Sequence, residues 1–339
     1  MFVTGHTGFK GSWLCMMLSR MGAQVYGLSL PTEVSNPCLY NLAQISTKIH
    51  VDARGTIEDL TTIKQILNVS KPDIVFHLAA QPIVKEGFAD PLGTFRTNII
   101  GTANVLQACK EVKDIGAIVV ITTDKVYEEQ AWPWGYREID PLGAADPYST
   151  SKACSELIAK CYSTYKTGDI PVVTARAGNC IGFGDFSYRL VPMIAKWLSE
   201  NTRPVIWDPS AIRPWQHVLD CLKAYLMIAE YIYPNGVGGT SWNVGPNDED
   251  YWTCLDVAEE MCNYWPPYDI KPVTGKCPDT YPINIVLKLD SSKIRSLVGW
   301  KPQHSAYSAI SAAGRGYQEY YAGDDPMAIC EWELNDYGL

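Results

Sequence analysis

The chain begins with three glycines at a fixed spacing, Gly5-x-x-Gly8-x-x-Gly11. They follow a very short apolar run, Phe2-Val3-Thr4. They precede a stretch in which Trp13, Leu14, Met17, Leu18 and Met21 recur at near-helical spacing, closed by Gly22. Glycines there permit a tight turn and a close approach of backbone to a ligand. The helix N-terminus offers free N–H groups to an anion. The pattern predicts a pyrophosphate site with Gly5, His6, Gly8, Phe9 and Gly11 as cofactor contacts.

The next 170 residues or so alternate. Runs at 24–30, 48–52, 74–78, 117–122 and 171–175 read as strands. Stretches at 56–69, through 98–109, and from Pro147 at the first helical position to about 165 read as helices. Short apolar strands between helices predict a parallel sheet covered on both faces. That is an α/β, Rossmann-type, doubly wound fold. After residue 176 Pro and Gly become dense, which predicts a smaller, loop-rich domain. The expected division is a cofactor domain over 1–175 and a substrate domain over 176–339. The boundary is approximate and segments interleave, with 241–244 as a candidate strand returning to the main sheet. After Gly323 come five acids (Asp324, Asp325, Glu331, Glu333, Asp336) and no Lys or Arg, which predicts a solvated or loosely docked end.

The second strand should end on an acid for the adenosine ribose, or offer an arginine for a 2′-phosphate. Tyr26-Gly27-Leu28-Ser29-Leu30 has neither, and the nearest acid is Glu33. Asp52, ending the third strand, is a candidate to face the adenine or to serve as a helix N-terminal acid. Other function classes are excluded by composition. The formal charge of −9 argues against nucleic acid. No run of 18 apolar residues predicts a membrane span. The opening MFVTGHTG lacks the layout of a signal peptide, which points to the cytoplasm. Eleven cysteines without a CxxC pair or zinc spacing predict reduced thiols and no metal.

Tyr148-x-x-x-Lys152 puts a phenol and an ammonium on one helical face. A nearby cation favours phenolate, which suits proton removal from a hydroxyl. The pair follows a strand ending in hydroxyls, Thr122-Thr123. With the glycine turn, Thr122/Thr123 and Tyr148/Lys152 in this order, the chain resembles the extended branch of the short-chain dehydrogenase/reductase superfamily. Within it, GHTGFKGSW (5–13), HLAAQP (77–82), TDKVYE (123–128), WGYRE (134–138), DPYSTSK (146–152), ARAGN (175–179) and IRPWQHVLD (212–220) resemble the 4,6-dehydratases of CDP-glucose. One departure is Phe183 and Phe186, where that group more often has a glycine run and then Asp-Trp.

The resemblance implies an NAD-binding domain, with NAD rather than NADP, and a nucleotide-sugar-binding domain for CDP-glucose or a related nucleotide sugar. Ala79, Ala80 and Gln81 would line the cofactor beside Asp52 and Thr122. Thr123, Tyr148 and Lys152 would oxidise the sugar at C4. Asp124 would be the acid for the 6-OH and Lys125 the base at C5. Asn179, Arg189 and Arg213 would hold the substrate, while His217 serves structure and Asn98 orders backbone or water. The family implies a homodimer or homotetramer through the helices around 98–109 and 147–165. Two other readings stay open: a nucleotide-sugar epimerase, which does not need Asp124 and Lys125, and a non-catalytic dinucleotide sensor.

Overall fold

The computed structural model describes all residues except 33–34, 131, 165–170, 235, 237, 266–268 and 276–285. Glu33 therefore lies outside the described residues. Seven strands form one sheet. They are β1 (Phe2–Thr4), β2 (Tyr26–Ser29), β3 (Val51–Arg54), β4 (Ile74–His77), β5 (Ala117–Thr123), β6 (Val172–Ala177) and the strand Ser241–Val244. Every neighbouring pair is parallel, in the order β3-β2-β1-β4-β5-β6 and then Ser241–Val244. The predicted returning strand thus closes the sheet at one edge.

Alternate residues of each strand feed opposite cores. Val3, Phe76, Val119 and Ile121 face one core with Trp13, Leu14 and Leu18 of α1 (Phe9–Arg20). Phe2, Val75, Ile118 and Val120 face the other, with Ile63, Leu67, Val105 and Leu106. Burial on both faces explains why these strands read as continuous apolar runs.

Chain order reverses between β1 and β4, and ligands of such sheets bind at that switch, outside the strands' carboxyl ends. Gly5 follows β1 with φ +73°. A Cβ there would lie 2.7 Å from the Ala79 nitrogen after β4, so the two loops touch at the switch.

The helix predicted through 98–109 is three pieces: Pro91–Phe95, a π-helical segment Arg96–Ile100, and Gly101–Lys110. The wide turn brackets Asn98. Its Oδ1 accepts from the Gln81 N–H at 2.8 Å, and its Nδ2 donates to the Gln81 carbonyl at 3.0 Å and to Ser151 Oγ at 2.8 Å. Asn98 therefore orders backbone, as the sequence suggested.

The second half adds small strand pairs. β7 (Asn179–Ile181) runs parallel to Trp215–His217, and Ile212–Arg213 runs antiparallel to Trp252–Thr253. The end of the chain corrects the sequence reading. Pro326–Asp336 is a docked helix, with Ile329, Cys330, Glu333 and Leu334 buried. Asp325 caps it, accepting from the N–H groups of Met327 and Ala328. Three of the five acids help to hold it down: Asp325 as its cap, Glu331 through Arg20 at 2.9 Å, and Glu333 against the buried His217 at 2.6 Å. No helix among the described residues is long and apolar enough to cross a membrane.

Candidate active site

The glycine turn sits at the sheet switch. Gly8 caps α1 without any side-chain bond, so the first N–H groups of the helix stay free for an anion. A cavity of about 700 Å³ opens here, lined by Gly5, Gly8, Phe9, Gly11, Ala79 and Ala80 among others. That chemistry and size fit a dinucleotide. A Cβ on Gly11 would fall 2.1 Å from the Gly5 carbonyl oxygen, which is backbone and cannot swing away. Gly11→Ala should therefore destabilise the chain by about 1–3 kcal/mol and weaken dinucleotide binding. Denaturant melts and cofactor titration would show it; Gly8→Ala, with only a 3.4 Å contact, is the mild control.

Four expected cofactor contacts are placed differently. The His6 ring is fully buried under Gly27, and its Nε2 meets Asp52 at 2.8 Å. Asp52 also takes Arg54 Nε at 2.8 Å, so its carboxylate braces the turn from below and does not line the cavity. Gln81 also stays off that wall, because its amide donates to Thr94 at 2.9 Å and its backbone is held by Asn98. Thr122 is corrected outright. Along β5 it shares the parity of Ile118 and Val120, so its hydroxyl points away from the Thr123 side and donates to the buried Glu156.

Tyr148 and Lys152 stand on the helix Pro147–Thr164, and Thr123 lies near enough to act on the Tyr148 phenol. Burial pushes the phenol above its ordinary value, outweighing Thr123 and the Lys10 and Arg189 charges that pull it down. The sequence expected the cation to win; desolvation wins in the chain alone. Lys152 is buried and donates to the Ile121 carbonyl at 2.9 Å. Burial and then the neighbouring Lys10 charge pull its pKa down to about 7. A folded value below the unfolded one means that the charged form is penalised below pH 7, and the penalty fades as pH rises towards the ordinary lysine range. Lys152→Met should thus raise unfolding free energy by about 1–3 kcal/mol below pH 7, with a shrinking gain above it, while turnover collapses. Denaturant melts at several pH values check the sign.

β5 runs straight into the elimination pair. Thr123 Oγ1 donates to Asp124 Oδ1 at 2.9 Å, and Oδ2 of the buried Asp124 has no hydrogen-bond partner among the described residues. Burial raises the Asp124 pKa and lowers that of Lys125, which Arg213 lowers further. The carboxyl is thereby biased to stay protonated and the amine to stay neutral. That is the pairing of states an acid and a base need.

Across the site, Asn179 opens β7 and its side-chain amide has no internal partner among the described residues. Arg189 lines the cavity and pairs with Asp185 at 3.0 Å. Arg213 donates to the Ile212 carbonyl at 2.8 Å and forms no interdomain ion pair among the described residues. His217 is fully buried, accepting from the Leu219 N–H, and serves structure. Phe183 is core, packed edge-on against Tyr317, while Phe186 lines the cavity. Tyr136 is buried and stacks on Tyr127 and Trp132, whereas Trp134 is exposed.

Sequence reasoning missed Lys10. It lines the cavity and reaches Tyr225 at 3.2 Å, close enough to influence both Tyr148 and Lys152. A cationic side chain at the last place before Gly11 of the glycine turn was the available signal.

The sequence model described as GDP-mannose 4,6 dehydratase matches residues 2–312. The chain belongs to this family. It is 37% identical to the CDP-glucose 4,6-dehydratase of Salmonella typhimurium, over 99% of this chain and 95% of that one. It is 27% identical to the dTDP-glucose 4,6-dehydratase of Xanthomonas campestris pv. campestris, over 91% and 90%. In fold it is similar to the dTDP-glucose 4,6-dehydratase of Streptomyces venezuelae, solved with NAD bound, at a TM-score of 0.81 and 23% identity, covering 96% and 99%. It is also similar to the UDP-glucose 4-epimerase of Thermotoga maritima, at 0.78 and 21%, covering 94% and 98%. The shared fold thus spans both dehydratases and epimerases, and the site residues must separate them.

Proposed function

We propose that the chain is a hydro-lyase that converts CDP-glucose to CDP-4-keto-6-deoxy-glucose and water, with NAD held and regenerated. The observation that carries this reading is the buried Asp124 at the end of β5, with one oxygen unpartnered among the described residues, beside Lys125 and bonded by Thr123. An epimerase has no use for that acid–base pair. The 37% identity to the Salmonella enzyme supports the cytidine nucleotide.

The cofactor would be held by the backbone of Gly8, Phe9 and Gly11, with Ala79 and Ala80 on the opposite wall. When bound, it supplies an electron acceptor for C4 and later a donor for C6. Tyr148 takes the 4-OH proton and Thr123 bonds the same oxygen. Lys152 holds positive charge near that centre. The resulting ketone acidifies C5–H, Lys125 removes that proton, and Asp124 protonates the departing 6-OH. Arg189 and Arg213 suit the diphosphate because guanidinium offers paired, directed donors.

The reading includes a division of labour, with residues 1–175 for the cofactor and 176–339 for the nucleotide sugar. It also places the protein in the cytoplasm, making a deoxysugar for surface polysaccharide such as O-antigen. We further read it as a homodimer or homotetramer. Exposed Leu92, Ile100 and Leu157, on the helical segments named for that contact, support this.

The test is incubation with CDP-, dTDP- and GDP-hexoses plus NAD⁺, followed by the base-induced absorbance of the 4-keto product. Turnover of CDP-glucose alone is expected. Release of a C4 epimer without dehydration would overturn the reading.

A further inference from the structure

The helix Pro326–Asp336 reaches the substrate side of the site through one buried contact. Glu333 is 4% exposed, and its Oε1 lies 2.6 Å from Nε2 of His217, which is fully buried. His217 ends the strand Trp215–His217 and caps the helix Val218–Ile232, its Nδ1 accepting from the Leu219 N–H at 3.4 Å. With Nδ1 an acceptor, the ring proton sits on Nε2 and faces the carboxylate.

The junction is held from a second side. His304 stacks on the His217 ring at 4.2 Å, and its Nδ1 lies 3.1 Å from Asp220 Oδ2. Asp220 also accepts from the Gln303 N–H and from the Tyr337 hydroxyl, each at 2.7 Å. The strand end, the helix start and the helix Pro326–Asp336 thus meet around one imidazole.

Among the described residues β7 has a single neighbouring strand. It pairs with Trp215–His217, Asn179 opposite Trp215 and Ile181 opposite His217. The Asn179 N–H donates to the Pro214 carbonyl at 3.0 Å. Gly182, just after β7, packs so closely that a Cβ there would lie 2.8 Å from Val218 and 3.6 Å from His217 Nε2. Two strands alone are marginal in water and need packing to hold them. Asn179 opens one strand of this pair, and Arg213 lies two residues before the other.

We propose that Glu333 is a positioning residue for the nucleotide sugar: acting through His217, it fixes the strand pair that presents Asn179 and Arg213.

The work of Asn179 and Arg213 on substrate rests on the reading of the site given above; the hold of Glu333 on the strands does not. Loss of the carboxylate frees the imidazole to turn, and the strand end shifts with it. Asn179 then moves relative to the sugar. Thr123, Asp124, Lys125, Tyr148 and Lys152 stand on other elements, so the defect falls on substrate binding more than on the chemical steps. A pair that only stabilised the fold would lower melting and leave the kinetics of the folded enzyme unchanged.

The test compares Glu333→Ala with Glu331→Ala, which cuts the contacts of the same helix to Arg20 and Lys48 and leaves His217 untouched. In Glu333→Ala the KM for CDP-glucose should rise about tenfold, with kcat within about twofold and NAD titration unchanged. Hydrogen exchange of the amides in 179–181 and 215–217 should quicken about tenfold. Glu331→Ala should show neither change. Glu333→Gln offers Nε2–H an amide oxygen in the same place and should recover most of the KM. An unchanged KM or unchanged exchange in Glu333→Ala overturns the proposal, as does an equal loss in Glu331→Ala. If Glu333→Ala does not fold, Glu333→Asp withdraws the carboxylate by one methylene and carries the same test, with the same outcome overturning it. A wild-type chain that turns over no nucleotide sugar fails the reading of the site instead, and exchange at 179–181 then decides the Glu333 contact by itself.

Discussion

Asp124→Asn is expected to lower formation of the 4-keto-6-deoxy product by about 10²–10⁴-fold while sparing oxidation at C4. The side chain keeps its shape and can still take the 2.9 Å bond from Thr123. What it loses is a dissociable proton for the departing 6-OH. Burial holds the native carboxyl above the ordinary carboxylate range, so the wild-type acid form persists to higher pH. Single-turnover mixing should therefore show reduced nicotinamide building up in the variant, by its near-ultraviolet absorbance, with no base-labile 4-keto product. Lys125→Met should give the same trapped state with cofactor binding unchanged. Full turnover by either variant removes it from the elimination step.

The largest stability effect should come from behind the site. Glu156 accepts from Thr122, from Thr174 Oγ1 at 2.7 Å, from Ser241 Oγ at 2.9 Å and from Arg176 Nη2 at 2.8 Å. Both partners of the ion pair are buried. Glu156→Ala leaves the Arg176 charge without a carboxylate, and the expected loss is about 3–5 kcal/mol of unfolding free energy. Glu156→Gln keeps an acceptor for the hydroxyls and should lose less. Burial alone would raise the Glu156 pKa, but Arg176 and the hydroxyl donors outweigh it and hold it low. Its stabilisation is thus present above the ordinary glutamate value and is lost only as pH falls through the depressed one. Denaturant melts from neutral to acidic pH would check both magnitude and sign.

Much of this was readable in the residues. The strands β4, β5 and β6 are continuous apolar runs, and burial on both faces leaves few other uses for such runs. The glycine turn declared itself because the contacts at Gly5 and Gly11 exclude any other side chain. Thr123, Asp124, Lys125, Tyr148 and Lys152 were found because they sit at short, fixed separations along the chain. What failed was partnership at long separation. Nothing local says that His6 will spend its ring on Asp52, or that Thr122 will spend its hydroxyl on Glu156. The phenol of Tyr148 was misjudged for a related reason: spacing reveals a neighbouring cation but not how much water burial removes. The docked helix Pro326–Asp336 was masked by its five-acid neighbourhood, although Ile329, Cys330, Glu333 and Leu334 carry a buried helical stripe.

The strand Ser241–Val244 bears on any attempt to take the protein apart. β6 is hydrogen-bonded to β5 on one side and to this strand on the other. A fragment ending near residue 175 would cut into β6 and strip it of one neighbour, leaving an apolar edge with open N–H and C=O groups. Such an edge recruits other chains. The two halves are therefore better separated by complementation, with both pieces made together, than by expressing either one alone.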